Sequence, residues 1–366
     1  MAQQGPSPHT PEFPPARLVL EDGREFAGHS FGYDGPVAGE VVFSTGMVGY
    51  PEALTDPSFY GQILTLTFPL VGNYGVPGDD DDRGLSRFFE SHRIQASGLV
   101  VCDYSVHFSH WEAARSLARW LQDSKVPAMM GVDTRALTKH LRVKGSMLGK
   151  IVFEGRDVEF WNPNAHRLIE KVSIDRPVDY GDGERLVIVL DCGCKESIVG
   201  NLLERGVRVR RVPHDYDLQD EEFDGVVVSS GPGDPKMCHK QIHQIRHVLR
   251  REKPLLGICL GHQMLALAAG AETYKMKYGH RSQNQPVIEA GTGRCFVTSQ
   301  NHGYAVDIAT LPEDWESWFS NINDGSSEGI RHKTKPFMSV QFHPEAAPGP
   351  VDTMFLFDDF VRMVNA

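Results

Sequence analysis

Apolar positions change rhythm twice along this chain. From Arg17 to about Phe153 they come in short groups, LVLEDG, EVVFSTG, QILTLTF and GLVVCDY, in which β-branched residues cluster or alternate between Gly, Pro and Asp. That is the pattern of short strands joined by tight turns. Two stretches within this half have a helical period. SHWEAARSLARWLQDS (109–124) places Trp111, Leu117, Trp120 and Leu121 on one side and predicts a helix whose aromatics pack into a core. DTRALTKHLRVKG (133–145) opens on an aspartate suited to an N-cap and closes on glycine. Periodicity then fades between residues 154 and 184, where WNPNAHR and DRPVDYGDGE collect Asn, Pro, Asp and Gly, the composition of a linker. Beyond it RLVIVLD, KESIVGNLLERG, VRVRRV, FDGVVVS, a helical stretch around 237–251 and PLLGI read strand, helix, strand, with strands apolar nearly throughout. Such strands belong to a parallel sheet covered on both faces. The predicted organisation is a tail over 1–15, a strand-rich mixed α/β domain over 16–153, a linker over 154–184 and an α/β domain over 185–366.

Composition narrows the partners. Lys and Arg total 37 against 48 Asp and Glu, a formal charge of −11 over 366 residues, and no basic block offsets it locally. Nucleic acid and anionic membranes are poor partners for such a chain. The first 15 residues are polar and proline-rich, with neither the basic start nor the apolar core of a secretory signal, so a disordered tail on a cytoplasmic protein is expected. Six cysteines without a CxxC pair indicate neither a disulfide framework nor a zinc site, and no metal is expected. Asp79–Asp82, between GVPG and GLSRFFES, reads as a solvated loop.

The chemistry concentrates in the second half. Gly257-Ile-Cys-Leu-Gly261 has the G-x-nucleophile-x-G form of a nucleophile elbow, the sharp strand-to-helix turn that raises a reactive side chain above a parallel sheet. The helix that follows would aim its N-terminal N–H groups at the sulfur of Cys259, favouring thiolate, and would offer the Leu260 N–H to an oxyanion. A thiolate nucleophile needs a proton shuttle. Of 16 histidines, His343 is preferred because Glu345 lies two places on, at the spacing that turns both side chains to one side of a strand. His302 lacks such a carboxylate. Ser229-Ser-Gly-Pro-Gly-Asp-Pro235 follows a strand and presents turn N–H groups where ligands bind in such sheets; no P-loop sequence occurs anywhere. Lys195, just past the first strand of this domain, is a candidate neighbour of the site whose role the sequence leaves open, a structural salt bridge being favoured.

GICLGHQ, SSGPGDP and the terminal HPE resemble class I, triad-type glutamine amidotransferase domains over roughly residues 186–366. Longer strings, GEVVFSTGMVGYPEALTDPSFYGQIL (39–64), GVDTRALTKHLR, KMKYGHRSQNQPV and TSQNHGYAVD, are similar to the small, glutaminase subunits of carbamoyl-phosphate synthetases, over nearly the whole chain. The resemblance implies a flavodoxin-like amidotransferase sheet. It implies Cys259 as nucleophile, His343 as general base and acid, and Glu345 as its orienting partner. Glutamine would be held by Ser58 from the first domain, Gly231 and Gly233, Leu260 and Gln263, and Asn301, Gly303 and Tyr304. It implies no cofactor in this chain, and a large synthetase subunit, binding ATP with magnesium, as partner in a heterodimer or a larger assembly. Ser230 departs from the family's usual asparagine and Tyr304 from its phenylalanine, whose extra hydroxyl needs a partner if buried. An amidotransferase for another acceptor, a non-catalytic scaffold of the same fold and a cysteine peptidase are the competing expectations.

Overall fold

A computed structural model describes residues 13–366. Most of the expected N-terminal tail lies outside the described residues. The strand-rich half closes into a seven-stranded barrel built from β1 (Pro15–Leu20), β2 (Glu25–Ser30), β3 (Val37–Ser44), β4 (Gln62–Leu66), β5 (Gly98–Val100), β6 (Ala128–Met130) and β7 (Met147–Phe153), in the order β1-β7-β3-β4-β5-β6-β2. Closure is legible in the burial of β1, where Ala16, Leu18 and Leu20 point inward and their neighbours outward. Closing the sheet on itself also leaves no unpaired barrel edge.

Three helices pack on the barrel: α1 (Tyr50–Thr55), α2 (Leu117–Asp123) and α3 (Thr134–Lys144). The Asp133 side chain accepts from the Ala136 N–H and caps α3, and Gly145 ends it with φ +108°. The longer helix predicted over 109–124 is not present. It starts only at Leu117, because Ser116 caps it through the Arg119 N–H, and residues 113–115 are extended. Trp120 is buried as expected, but Trp111 is 87% exposed and stacks on His110. Residues 154–184 pack closely rather than hang free: Pro163, Leu168 and Ile169 are buried, Ile169–Val172 forms the short helix α4, and β8 (Val178–Tyr180) joins the next sheet as an edge strand.

That sheet has ten strands. Added to β8 are β9 (Leu186–Asp191), β10 (Arg208–Pro213), β11 (Gly225–Val228), β12 (Leu255–Ile258), β13 (Glu272–Glu289), β14 (Cys295–Asp307), β15 (Trp315–Asn321), β16 (Ser327–His332) and β17 (Phe337–Val340), in the order β8-β10-β9-β11-β12-β17-β16-β15-β13-β14. The five strands from β10 to β17 are parallel, and the rest pair antiparallel. Every residue of β9 is buried, which follows from helices on both faces: α5 (Glu196–Glu204) and α8 (Phe355–Asn365) on one, α6 (His239–Arg251) and α7 (Leu260–Ala269) on the other. The two domains meet along β3, α1 and β13, where Thr45 N–H donates to the Arg281 carbonyl and Gln283 Nε2 to that of Val48.

Candidate active site

Cys259 stands between β12 and α7 with φ 53° and ψ −102°, a conformation disfavoured for a residue with a Cβ. The surroundings hold it there. Its N–H donates to the Val340 carbonyl at 2.9 Å, and the Gly261 N–H donates to that of Ser229 at 3.1 Å. Any side chain at position 261 would stand 2.1 Å from the Val228 carbonyl oxygen, so only glycine lets the helix approach the strand this closely. Leu260 is the first residue of α7, and its N–H is among those that a helix leaves free at its N-terminus. Cys259 is only 2% exposed, yet it lines a cavity that both domains wall. The Asn301 carbonyl and the Gln341 amide each lie 3.6 Å from it.

His343 and Glu345 do come together, by a route other than strand alternation. β17 ends at Val340, and His343 follows in a single bridge to Ser299, its N–H donating to the Ser299 carbonyl at 2.9 Å. Pro344, with no N–H to offer a ladder, is followed by a turn. There the His343 Nδ1–H donates to Glu345 Oε1 at 2.6 Å, which leaves Nε2 on the side of Cys259, buried and without a hydrogen-bond partner. Burial works against the imidazolium, but the charges of Glu345 and Cys259 outweigh it and lift His343 to about 10. Glu345 shows the converse balance. Burial would raise it, while Lys195 and His343 together hold it down at about 2. Lys195, at the N-terminus of α5, reaches Glu345 Oε1 at 3.1 Å and the Ala346 carbonyl at 3.1 Å. Its salt bridge is therefore to the carboxylate of the triad itself.

All eight residues expected to hold substrate line one cavity with Cys259, although its free volume is only about 30 Å³. Ser58 comes from the barrel, from a turn after α1, and its hydroxyl is buried without a partner. Gly231 and Gly233 come from the turn after β11. A side chain at 231 would sit 2.0 Å from the Cys192 carbonyl, and Gly233 has φ +95°. Asn301, Gly303 and Tyr304 come from β14. Gln263 is turned inward, donating to the Tyr304 carbonyl and to Gln341 Oε1, both at 2.9 Å, so it shapes the wall through its neighbours. The Tyr304 hydroxyl finds its partner in Asn164 Oδ1 at 3.4 Å. His302 lies in the same wall but bonds the Tyr304 carbonyl and Gln300, and burial keeps it neutral.

Sequence reasoning missed two residues. Asp56 accepts from the Ser58 N–H at 2.8 Å and from Asn301 Nδ2 at 3.0 Å, so one barrel carboxylate sets both a barrel residue and a sheet residue of the cavity. Gln341 bridges Gln263 and the Cys259 sulfur. Its signal was present: Ser339, Gln341 and His343 are polar at every second place in an otherwise apolar run. Among the described residues, His280, His302 and Glu328 could together face a cation, but their ring nitrogens and carboxylate already bond Gln300, Asp324, Tyr304 and Asn321.

A thiol on a strained elbow, a histidine and carboxylate pair, and a parallel sheet beneath them define a class, and residues 188–363 match the family model for glutamine amidotransferase class-I. Residues 18–151 match that for the carbamoyl-phosphate synthase small chain, CPSase domain. An arginine-specific small chain of carbamoyl phosphate synthase from Emericella nidulans is 48% identical over 96% of this chain and 80% of its own length. The chain belongs to the carbamoyl-phosphate synthase small-chain family. It is also 52% identical to the multifunctional protein CAD of Squalus acanthias and 49% identical to a mitochondrial carbamoyl-phosphate synthase [ammonia] of Homo sapiens. Of those two longer proteins it spans only 16% and 24% of the length.

Proposed function

We propose that this chain hydrolyses L-glutamine and passes ammonia to a large synthetase subunit that makes carbamoyl phosphate for arginine and pyrimidine synthesis. The observation that carries the reading is the convergence on Cys259: the His343–Glu345 pair on one side, and on the other a cavity holding the free hydroxyl of Ser58. The Cys259 thiolate attacks the side-chain amide carbon, and charge gathers on the amide oxygen, where the Leu260 N–H and the turn at Gly231 can receive it. The His343 imidazolium gives its proton to the nitrogen as the C–N bond breaks, leaving a γ-glutamyl thioester and ammonia. Neutral His343 then takes a proton from water, hydroxide adds to the thioester, and expulsion of the thiolate yields glutamate and restores the starting charges. Glu345 holds the ring and the proton of His343, and Lys195 acts through Glu345.

The synthetase half of the reaction needs ATP with magnesium, which this reading assigns to the partner subunit, in a heterodimer or a larger assembly. No helix among the described residues is long and apolar enough to cross a membrane. We propose a cytoplasmic location, which fractionation of cells tests directly. The functional test is Cys259→Ser in the complex reconstituted with the large subunit. Glutamine-dependent synthesis should vanish and ammonia-dependent synthesis should persist; loss of both together overturns the division of labour.

A further inference from the structure

Glu90 lies in the barrel domain, between β4 and β5 in a part of the chain with no catalytic residue, and is 4% exposed. Its own N–H donates to Thr55 Oγ1 at 3.0 Å, fixing it to the end of α1. Across the domain boundary it meets the start of α5. The Glu90 carbonyl accepts from the Glu196 N–H at 3.1 Å, and its Oε2 accepts from the Ser197 hydroxyl at 2.6 Å and the Ser197 N–H at 3.3 Å. Glu196 and Ser197 are the first two residues of α5, whose own N-cap residue, Lys195, offers no side-chain cap. Glu90 therefore caps α5 from the other domain, satisfying N–H groups that the helix leaves open. The Lys195 side chain is free to extend the other way, to Glu345 at 3.1 Å, while its Nζ remains 4.0 Å from Glu90 Oε2.

We infer that Glu90 is a positioning residue for the catalytic pair: it seats Lys195 on Glu345 and offsets its charge, so that the barrel domain sets how tightly His343 holds its proton. The inference rests on the glutaminase reading given above. The electrostatics follow from the order of the charges. Lys195 is faced by Glu345 and Glu90, and further off by Asp56 and Glu52; His343 is faced by Glu345, Cys259 and the neutral His302. Lys195 drains negative potential from Glu345, and Glu90 returns part of it. Burial pushes Glu90 itself up to about 7 even with Lys195 alongside, so its charge is costly to keep, as expected of a carboxylate retained for what it holds.

The test compares the full-length wild type with Glu90→Gln, Glu90→Ala and Glu90→Asp, with folding followed by thermal melting. Two quantities are read across pH: kcat and KM for glutamine hydrolysis, and the NMR titration of the His343 ring, assigned by its absence in His343→Asn. The ring titration needs no glutamine. Glu90→Ala should lower kcat about tenfold with KM within about twofold, the signature of a group felt only in the chemical steps. Glu90→Asp should recover most of that loss. Glu90→Gln keeps the shape and removes the charge, so Lys195 bears fully on Glu345, the imidazolium loses support, and the His343 titration and the alkaline limb of kcat should both move to lower pH. Unchanged kcat and ring titration in all three variants overturn the inference. So does a loss of kcat that tracks melting temperature and that Glu90→Asp does not repair. A shifted ring titration in a protein that never hydrolyses glutamine would instead sustain the positioning role and remove the glutaminase reading.

Discussion

The two halves of the molecule contribute opposite kinds of residue to one site. The sheet domain supplies the groups that this reading makes reactive, and it seats the nucleophile at a strained and pinched place: Cys259 at φ 53°, with Gly261 against the Val228 carbonyl. The barrel supplies Ser58, Asp56 and Glu90, none of them strained, each held by a backbone hydrogen bond of its own and facing the other domain. Strain is tolerable in the sheet because five parallel strands and four helices fix the backbone around it. A barrel closed by hydrogen bonds is suited instead to presenting fixed polar groups. One domain reacts and the other arranges charge and substrate around it.

Substitutions in each half should separate the two kinds of contribution. The largest effect belongs to the sheet: His343→Asn should cut kcat for glutamine hydrolysis by about 10³-fold or more, because it removes the proton donor to departing ammonia, while glutamine binding measured by calorimetry should change little. A barrel residue that only touches substrate should do the reverse. Ser58→Ala removes a buried hydroxyl that faces substrate, and KM should rise about tenfold with kcat nearly constant. If Ser58→Ala instead cuts kcat, this hydroxyl takes part in the chemistry and the contrast fails at Ser58. In wild type, kcat should fall as pH rises through about 10, where the imidazolium of His343 loses its proton, and stopped-assay pH profiles would show it.

The smallest effect concerns stability. Glu90 has its proton affinity raised from 4.5 to about 7, so the folded chain binds more protons than the unfolded one in that interval. Stability from this group is present below pH 4.5 and declines as pH rises to 7. Glu90→Gln should therefore flatten the pH dependence of the denaturation midpoint between those limits, and an unaltered slope would mean that Glu90 does not titrate there.

The sheet domain could be read closely because its signals are local. The elbow glycines and the fully apolar strands act within a few residues of themselves. The HPE pair was found for a partly mistaken reason: spacing two suggested a strand, and a turn after Pro344 brings the side chains together instead. The barrel was harder. Its strands were visible singly, but closure depends on β1 meeting β7 more than a hundred residues away, which no window of sequence contains. Trp111 illustrates the same limit from the other side, since its helical spacing from Leu117 and Trp120 promised burial that the cap at Ser116 forecloses. Asp56 was missed because its partner, Asn301, is 245 positions distant.

The burial of Cys259 has a chemical consequence beyond turnover. A sulfur primed to attack carbonyls is also primed to be oxidised, and the higher oxides of cysteine are dead ends for a nucleophile. Here Cys259 is buried, and the narrow cavity it lines is walled by both domains. Alkylating agents bulkier than this cavity should react more slowly with Cys259 in the folded chain than with a free thiol, so burial as well as reactivity sets the vulnerability of this sulfur.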